Sequence, residues 1–296
     1  IRSGINFMQV YLDRLMIKYK DVTEKQFSDV LTKISSKQIF LPNTPIRSEH
    51  GTSVRDYHRI IHIGYGEGAV YIGWKHNSEK EKDSYDMKVD FNPSKFENNE
   101  LQKDGYEKVF ETVFHTLNAV LKSNKRVVYG MDIAFDIERH ISDIVSYSKT
   151  GRQQDRHKGT VYYGNRNKDG YLKIYDKKKE LYNHFKRMIE EENLTRIEYS
   201  WRDSDGVVVD EIRKSPPFSI DESYTFSIFN LNNVKGALKA CLICYSNGTM
   251  DMKEFPRRTK ESIKKALEEM DHLAVDTILQ GCWLSILENI KNYTRL

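Results

Sequence analysis

Apolar and polar positions along the first two-thirds of the chain form short runs rather than long stripes. Leu15–Tyr19 (LMIKY), Arg59–Gly64 (RIIHIG) and Ala69–Trp74 (AVYIGW) are rich in β-branched and aromatic residues, the last two separated by the Gly-rich YGEG. Tyr85–Phe91 (YDMKVDF) alternates with a period of two and is stopped by Asn92-Pro93. Val127–Ile137 is the longest strand candidate. Gly159–Gly164 and Tyr171–Tyr175 are joined by NRNKDG, which predicts a hairpin, and Leu194–Arg202 returns as a strand. Helical spacing occurs over residues 22–34, with Thr23 as N-cap, and over 104–122, where Val109, Val113, Leu117 and Val120 share a side. A further helix is predicted from Lys177 to Glu192.

After Ser215-Pro216-Pro217 the pattern changes, and residues 221–292 read as helical without a clear strand. The predicted fold class is therefore α+β: a mostly antiparallel central sheet with flanking helices, then a helical C-terminal region. A boundary near 205–218 divides the chain into 1–205 and 206–296. Composition adds only bounds. Of 296 residues, 39% are hydrophobic and 11% aromatic, which predicts a folded chain rather than a disordered one. No apolar run reaches the ~18 residues of a membrane span, and no basic-then-apolar leader opens IRSGINFMQVYLDR. Three cysteines make no disulfide framework, so the expectation is a reduced, cytoplasmic protein.

Charge is more informative in its distribution than in its net +4. From Arg152 to Arg187 there are 11 Lys+Arg against 4 Asp+Glu, and from Lys253 to Lys265 there are 6 against 2. Residues 188–252, between them, run 6 against 11. Two basic islands in a nearly balanced chain fit the footprint of a polyanion, although solvated faces produce the same counts.

The strands also separate their residues by chemistry, because alternate side chains share a face. Asp132, Ala134 and Asp136 oppose Ile133, Phe135 and Ile137; Tyr171, Lys173 and Tyr175 oppose Leu172 and Ile174; Arg196, Glu198 and Ser200 oppose Ile197, Tyr199 and Trp201. If the apolar faces meet helices, one floor holds Asp132, Asp136, Lys173, Tyr175, Arg196 and Glu198. Such carboxylates suit a hard divalent cation, Mg2+ or Mn2+. A tyrosine beside that cation could attack a phosphodiester, with Lys173 or Arg196 offsetting the developing charge. Any half-exposed antiparallel sheet shows the same alternation. The composition of the polar face is what carries the reading.

The succession MKVDFNPSKF, MDIAFDIE, GTVYYGNRNKDGYLKIYDKKKE and LTRIEYSWR resembles the Rep_trans family, the rolling-circle replication initiators of Gram-positive plasmids typified by staphylococcal resistance plasmids. The resemblance covers roughly residues 85–205, extends more weakly to about 270, and departs at Gly130 and Met131. It implies a divergent HUH-nickase-like core in 1–205 that nicks one strand at a plasmid double-strand origin, leaving a 5′-phosphotyrosine and a free 3′-OH primer. It places the nucleophile at Tyr175, in Ile174-Tyr175-Asp176-Lys177-Lys178, with Tyr171 as rival and Tyr162 and Tyr163 behind it. The acids corresponding to the family's metal ligands are Asp132, Asp136 and Glu198.

Arg166 and Asp169 match the family's hairpin turn, and Arg166, Lys177 and Lys178 are DNA-contact candidates. Arg257, Arg258, Thr259 and Lys260, before a helix expected from Ser262 to about Met270, are candidates for reading the origin sequence. A homodimer and a host helicase of the PcrA type are further implications of the resemblance. A conjugative-element relaxase with the same chemistry and a non-catalytic origin-binding protein are the alternatives. Cys241-Leu-Ile-Cys244 reads as core packing despite its CxxC spacing, and His58 and His62 as structural.

Overall fold

The computed structural model describes residues 7–36, 46–50, 59–64, 69–76, 85–97, 106–148, 154–166, 168–186, 190–212, 214, 216, 226–269 and 272–294. YGEG, His58, Ser215 and Pro217 lie outside them. Strands β1 (Phe7–Tyr19), β2 (Ile46–His50), β3 (Arg59–Ile63), β4 (Val70–His76), β5 (Tyr85–Phe91) and β6 (Arg126–Ile137) come first, with helices α1 (Glu24–Ser36), α2 (Pro93–Glu97) and α3 (Tyr106–Val120) among them. Then follow β7 (Ile144–Ser148), β8 (Gln154–His157), β9 (Thr160–Tyr163), β10 (Tyr171–Asp176), α4 (Lys177–Phe185), β11 (Thr195–Val208) and α5 (Val209–Ile212). The C-terminal part holds β12 (Phe226–Asn230), α6 (Gly236–Ser246), α7 (Arg257–Glu269), β13 (His272–Ala274), α8 (Val275–Gly281) and α9 (Trp283–Thr294).

The main sheet has the strand order β2-β3-β4-β5-β1-β6-β11-β10-β9-β8. Pairing is antiparallel from β2 through to β1 and from β11 through to β8. The chain divides into two compact units built from interleaved segments rather than consecutive halves. One comprises 1–11, 133–201 and 218–283, the other 12–132, 202–217 and 284–296. Strands β1, β6 and β11 each lend one end to each unit.

In the unit holding α1 and α3, the register Leu15↔Phe91, Ile17↔Val89 and Tyr19↔Met87 brings six buried side chains onto one face. The helices cover that face with aromatic contacts: Phe27 stacks on Trp74 at 5.3 Å, and Phe91 meets Phe110 at 5.1 Å and Phe114 at 5.3 Å. Burial of this apolar surface, at about 25 cal/mol per Å2, is the dominant stabilising contribution here. His62 packs edge-on to Tyr71 at 4.7 Å, in keeping with a structural role. Gly206 has φ +74°, and a Cβ there would stand 2.6 Å from the Val127 Cγ2, so β11 continues past it only because it is glycine.

The other unit differs from the sequence expectation. Residues 221–292 are not purely helical: β12 pairs with β13 and with β7 in a separate three-stranded sheet, in the order β13-β12-β7. Short strands of five and three residues, read beside long amphipathic helices, carry too few alternations to announce themselves. Val145, Leu231, Leu242, Phe255, Ile263 and Leu267 form the buried cluster of this region, with Cys241 and Cys244 packed against it as free thiols. The CxxC spacing is therefore core packing. Helix α4 ends at Phe185, short of Glu192, because Lys186 takes a left-handed conformation (φ 54°) and closes the last turn with its backbone N–H.

Candidate active site

Tyr175 is the last tyrosine of β10 and is held on both sides. Asp176 caps α4, its carboxylate accepting the Lys179 backbone N–H at 2.8 Å, while the Lys177 N–H donates to the Leu194 carbonyl at 2.8 Å. In register with β11, Tyr175 stands opposite Arg196 and Lys173 opposite Glu198. Leu172 and Ile174 are buried on the opposite face, as the alternation predicts.

The Tyr175 ring is 5% exposed, and its hydroxyl donates to Glu198 Oε1. Lys173 Nζ donates to the other carboxylate oxygen, Oε2, at 2.9 Å and lies 4.2 Å from the Tyr175 ring centroid. The Lys177 ammonium, paired with Glu180, approaches the same ring at 5.8 Å. The phenol oxygen thus ends on an acid from the neighbouring strand rather than in the apolar interior.

Burial alone would push the Glu198 carboxyl up. The Lys173 charge, the hydrogen bonds from Tyr175 and Lys173 and the Arg196 charge outweigh it, leaving the group below its ordinary value. A depressed carboxyl binds fewer protons folded than unfolded, so its stabilisation is complete above the unfolded value of about 4.3 and is lost as pH falls through the folded one. The stability difference between wild type and Glu198→Gln, measured by urea unfolding at a series of pH values, is expected to shrink as pH falls below about 4.3. A difference independent of pH would contradict this linkage.

A second cluster adjoins the first through Arg196. Its Nε and Nη2 each donate at 2.8 Å to one oxygen of Asp136, a bidentate pair with both residues 8% exposed. Burial lowers the guanidinium to about 10, so it remains charged at neutral pH. The Tyr11 hydroxyl donates to Asp136 Oδ2 at 2.9 Å, and the guanidinium lies 4.7 Å from the Tyr11 ring. Tyr11 lies before Leu15, where the first strand is expected to start; the continuous strand-forming run VYLDRLMIKY is the local signal that the strand extends back to it.

The three expected metal ligands are not gathered. Asp132 pairs with Arg202 at 2.6 Å in the other unit, Asp136 is spent on Arg196, and Glu198 is shared by Lys173 and Tyr175. Among the described residues, no three Asp, Glu, His or Cys side chains converge as a cation would require. Each carboxylate already has a cationic partner, so this arrangement does not fit a three-carboxylate cage.

The DNA-contact candidates fall in different settings. Arg166 and Asp169 are exposed in the β9–β10 connection. Lys177 is buried, and Lys178 donates to the carbonyls of Glu191 and Glu192 at 2.8 and 3.3 Å. Arg257 and Arg258 are exposed, and Thr259 and Lys260 half-buried; all four belong to the first turn of α7, which begins earlier than expected. Arg257 also reaches Glu261 at 3.1 Å. Three cations at the positive end of a helix are unfavourable without an anion nearby.

Among the described residues, no helix is long and apolar enough to cross a membrane. No family model matches the chain. No curated protein matches it. Among solved structures, the chain has a likeness to the rolling circle replication initiator protein from Geobacillus stearothermophilus, with a TM-score of 0.39 and 12% identity over 66% of this chain and 75% of that one.

Proposed function

We propose that this chain is a site-specific DNA nicking and rejoining enzyme that initiates rolling-circle replication at a plasmid origin. The observation that carries the reading is the Tyr175 hydroxyl donating to Glu198 on a sheet face that also presents Lys173 and Arg196. The ordered family-like blocks over residues 85–205 supply the substrate class.

In the proposed reaction the Tyr175 oxygen attacks the scissile phosphorus while its proton passes to Glu198. The bond from phosphorus to the 3′ oxygen breaks, leaving a 5′-phosphotyrosine. The departing oxygen takes up a proton and becomes the 3′-OH primer. Attack by a 3′-OH on the phosphotyrosine reverses these steps and rejoins the strand, so the bond energy is conserved and no ATP is needed. Lys173 and Arg196 offset the charge that develops on the phosphoryl oxygens. The resemblance extends the proposal to Mg2+ or Mn2+, which would supply Lewis-acid polarisation of the phosphoryl oxygen; since Asp132, Asp136 and Glu198 are each paired with a cation, no step above is routed through it.

Origin recognition is assigned to Arg257, Arg258, Thr259 and Lys260, with Arg166, Lys177 and Lys178 nearer the cleaved strand. The same resemblance extends the proposal to a homodimer that recruits a PcrA-type host helicase. Incubation with supercoiled plasmid carrying the cognate origin and Mg2+ or Mn2+ tests the reading. Nicked circles with protein covalently on a 5′ end support it, whereas binding without nicking indicates a non-catalytic origin binder. Exchanging the segment 257–260 for that of another initiator is expected to redirect which origin duplex is bound, at about 1–3 kcal/mol per base contact, with single-strand cleavage retained. Equal loss of both activities would remove the specificity role.

A further inference from the structure

The polar face that carries Tyr175 has two more aromatic rings on it that the proposed chemistry leaves unused. Tyr162 of β9 stands directly opposite Lys173, which on its other side stands opposite Glu198. Tyr171 precedes Lys173 by two residues on the same face, about one pleat repeat (~6.8 Å) along β10. The two rings are stacked, with centroids 6.0 Å apart and planes 19° from parallel. Both residues are half-buried, whereas Val161, Tyr163, Leu172 and Ile174 on the opposite face are fully buried. Tyr163, by contrast, hydrogen-bonds Ser146 inside the core.

We propose that the stacked Tyr162 and Tyr171 rings form a base-stacking platform for single-stranded DNA beside the scissile phosphate. This rests on the nicking reading, since it takes the phosphate to lie at Tyr175 and Lys173. An extended strand whose phosphate meets Lys173 carries a base toward the next side chains on that face, which are these two rings. Stacking on an aromatic face tolerates any base and needs no hydrogen bond from the phenol, so the ring and not the hydroxyl is the functional part. Burial and the neighbouring Tyr162 both raise the Tyr171 phenol above its ordinary value, which suits a stacking surface better than a nucleophile.

The test is fluorescence anisotropy of the full chain with two labelled probes: an oligothymidylate and a strand of the same length made of abasic units. Wild type is expected to bind the oligothymidylate about 5- to 150-fold more tightly than the abasic strand. Tyr171→Leu is expected to lose that preference while binding the abasic strand as wild type does, and Tyr171→Phe to retain it. If Tyr171→Leu fails to fold, Tyr162→Leu carries the same comparison. A wild type that does not distinguish the probes, a Leu variant that keeps the preference, or a Phe variant that loses it overturns the platform. Adduct formation on origin plasmid reads the chemistry separately. Normal adduct without ring-dependent binding sinks the platform alone; ring-dependent binding without adduct sinks the nicking reading, and with it the scissile phosphate, leaving the rings as a single-strand stacking surface only.

Discussion

Tyr175→Phe is expected to form no covalent protein–DNA product on supercoiled origin plasmid, while binding the duplex as wild type does. The substitution removes a single oxygen. The ring, 5% exposed and lying under the Lys173 ammonium, keeps its packing, and Glu198 keeps Lys173 as a partner. The cost to the fold is therefore about 1.5–3 kcal/mol, the size of one lost hydrogen bond to a charged group. The cost to the reaction is far larger, on the order of 10⁶-fold, because no nucleophile remains to split the transfer into two steps. Denaturing gel electrophoresis of the reaction, followed by mapping of the phosphotyrosine peptide from wild type, reads the outcome. An adduct that persists in the Phe variant would move the nucleophile to Tyr171 or elsewhere.

Arg196→Met is expected to destabilise the chain by about 3–5 kcal/mol, because it strands the Asp136 carboxylate in a buried setting without its cation. The Tyr11 hydroxyl would still donate to Oδ2, but it is neutral and does not replace the charge. The double variant Arg196→Met/Asp136→Asn is expected to recover much of the loss, since a neutral amide needs no counter-charge. Denaturant unfolding of wild type, both single variants and the double variant closes the cycle. If the double variant were as unstable as the sum of the singles, Asp136 and Arg196 would not be coupled as the geometry indicates. Nicking by the double variant, once folded, separates the structural duty of Arg196 from its proposed catalytic one.

Much of the fold was legible because its elements announce themselves locally. Tyr85–Phe91 alternates cleanly and is bounded by Asn-Pro, and it is β5 to the residue. Helices α1 and α3 follow their apolar spacing to within two residues at each end. The elements missed were those without a local signal. Strand β12 pairs with β7, more than seventy residues earlier in the chain, and its five residues sit within a tract of helical pattern. The start of α7 at Arg257 was hidden by consecutive cations, which the helix dipole disfavours at that end.

The site divides in the same way. Strand periodicity in the sequence determined that Tyr171, Lys173 and Tyr175 share one side of their strand and that Arg196 and Glu198 share one side of theirs, because a pleat alternates side chains whatever surrounds it. Only the tertiary structure decided the cross-strand register that sets Lys173 opposite Glu198, the reach of Tyr11 from the first strand, and the assignment of each carboxylate to a cation. Register and ion pairing depend on which distant strands become neighbours. That choice is made by the summed burial of whole faces, which no local stretch of sequence contains.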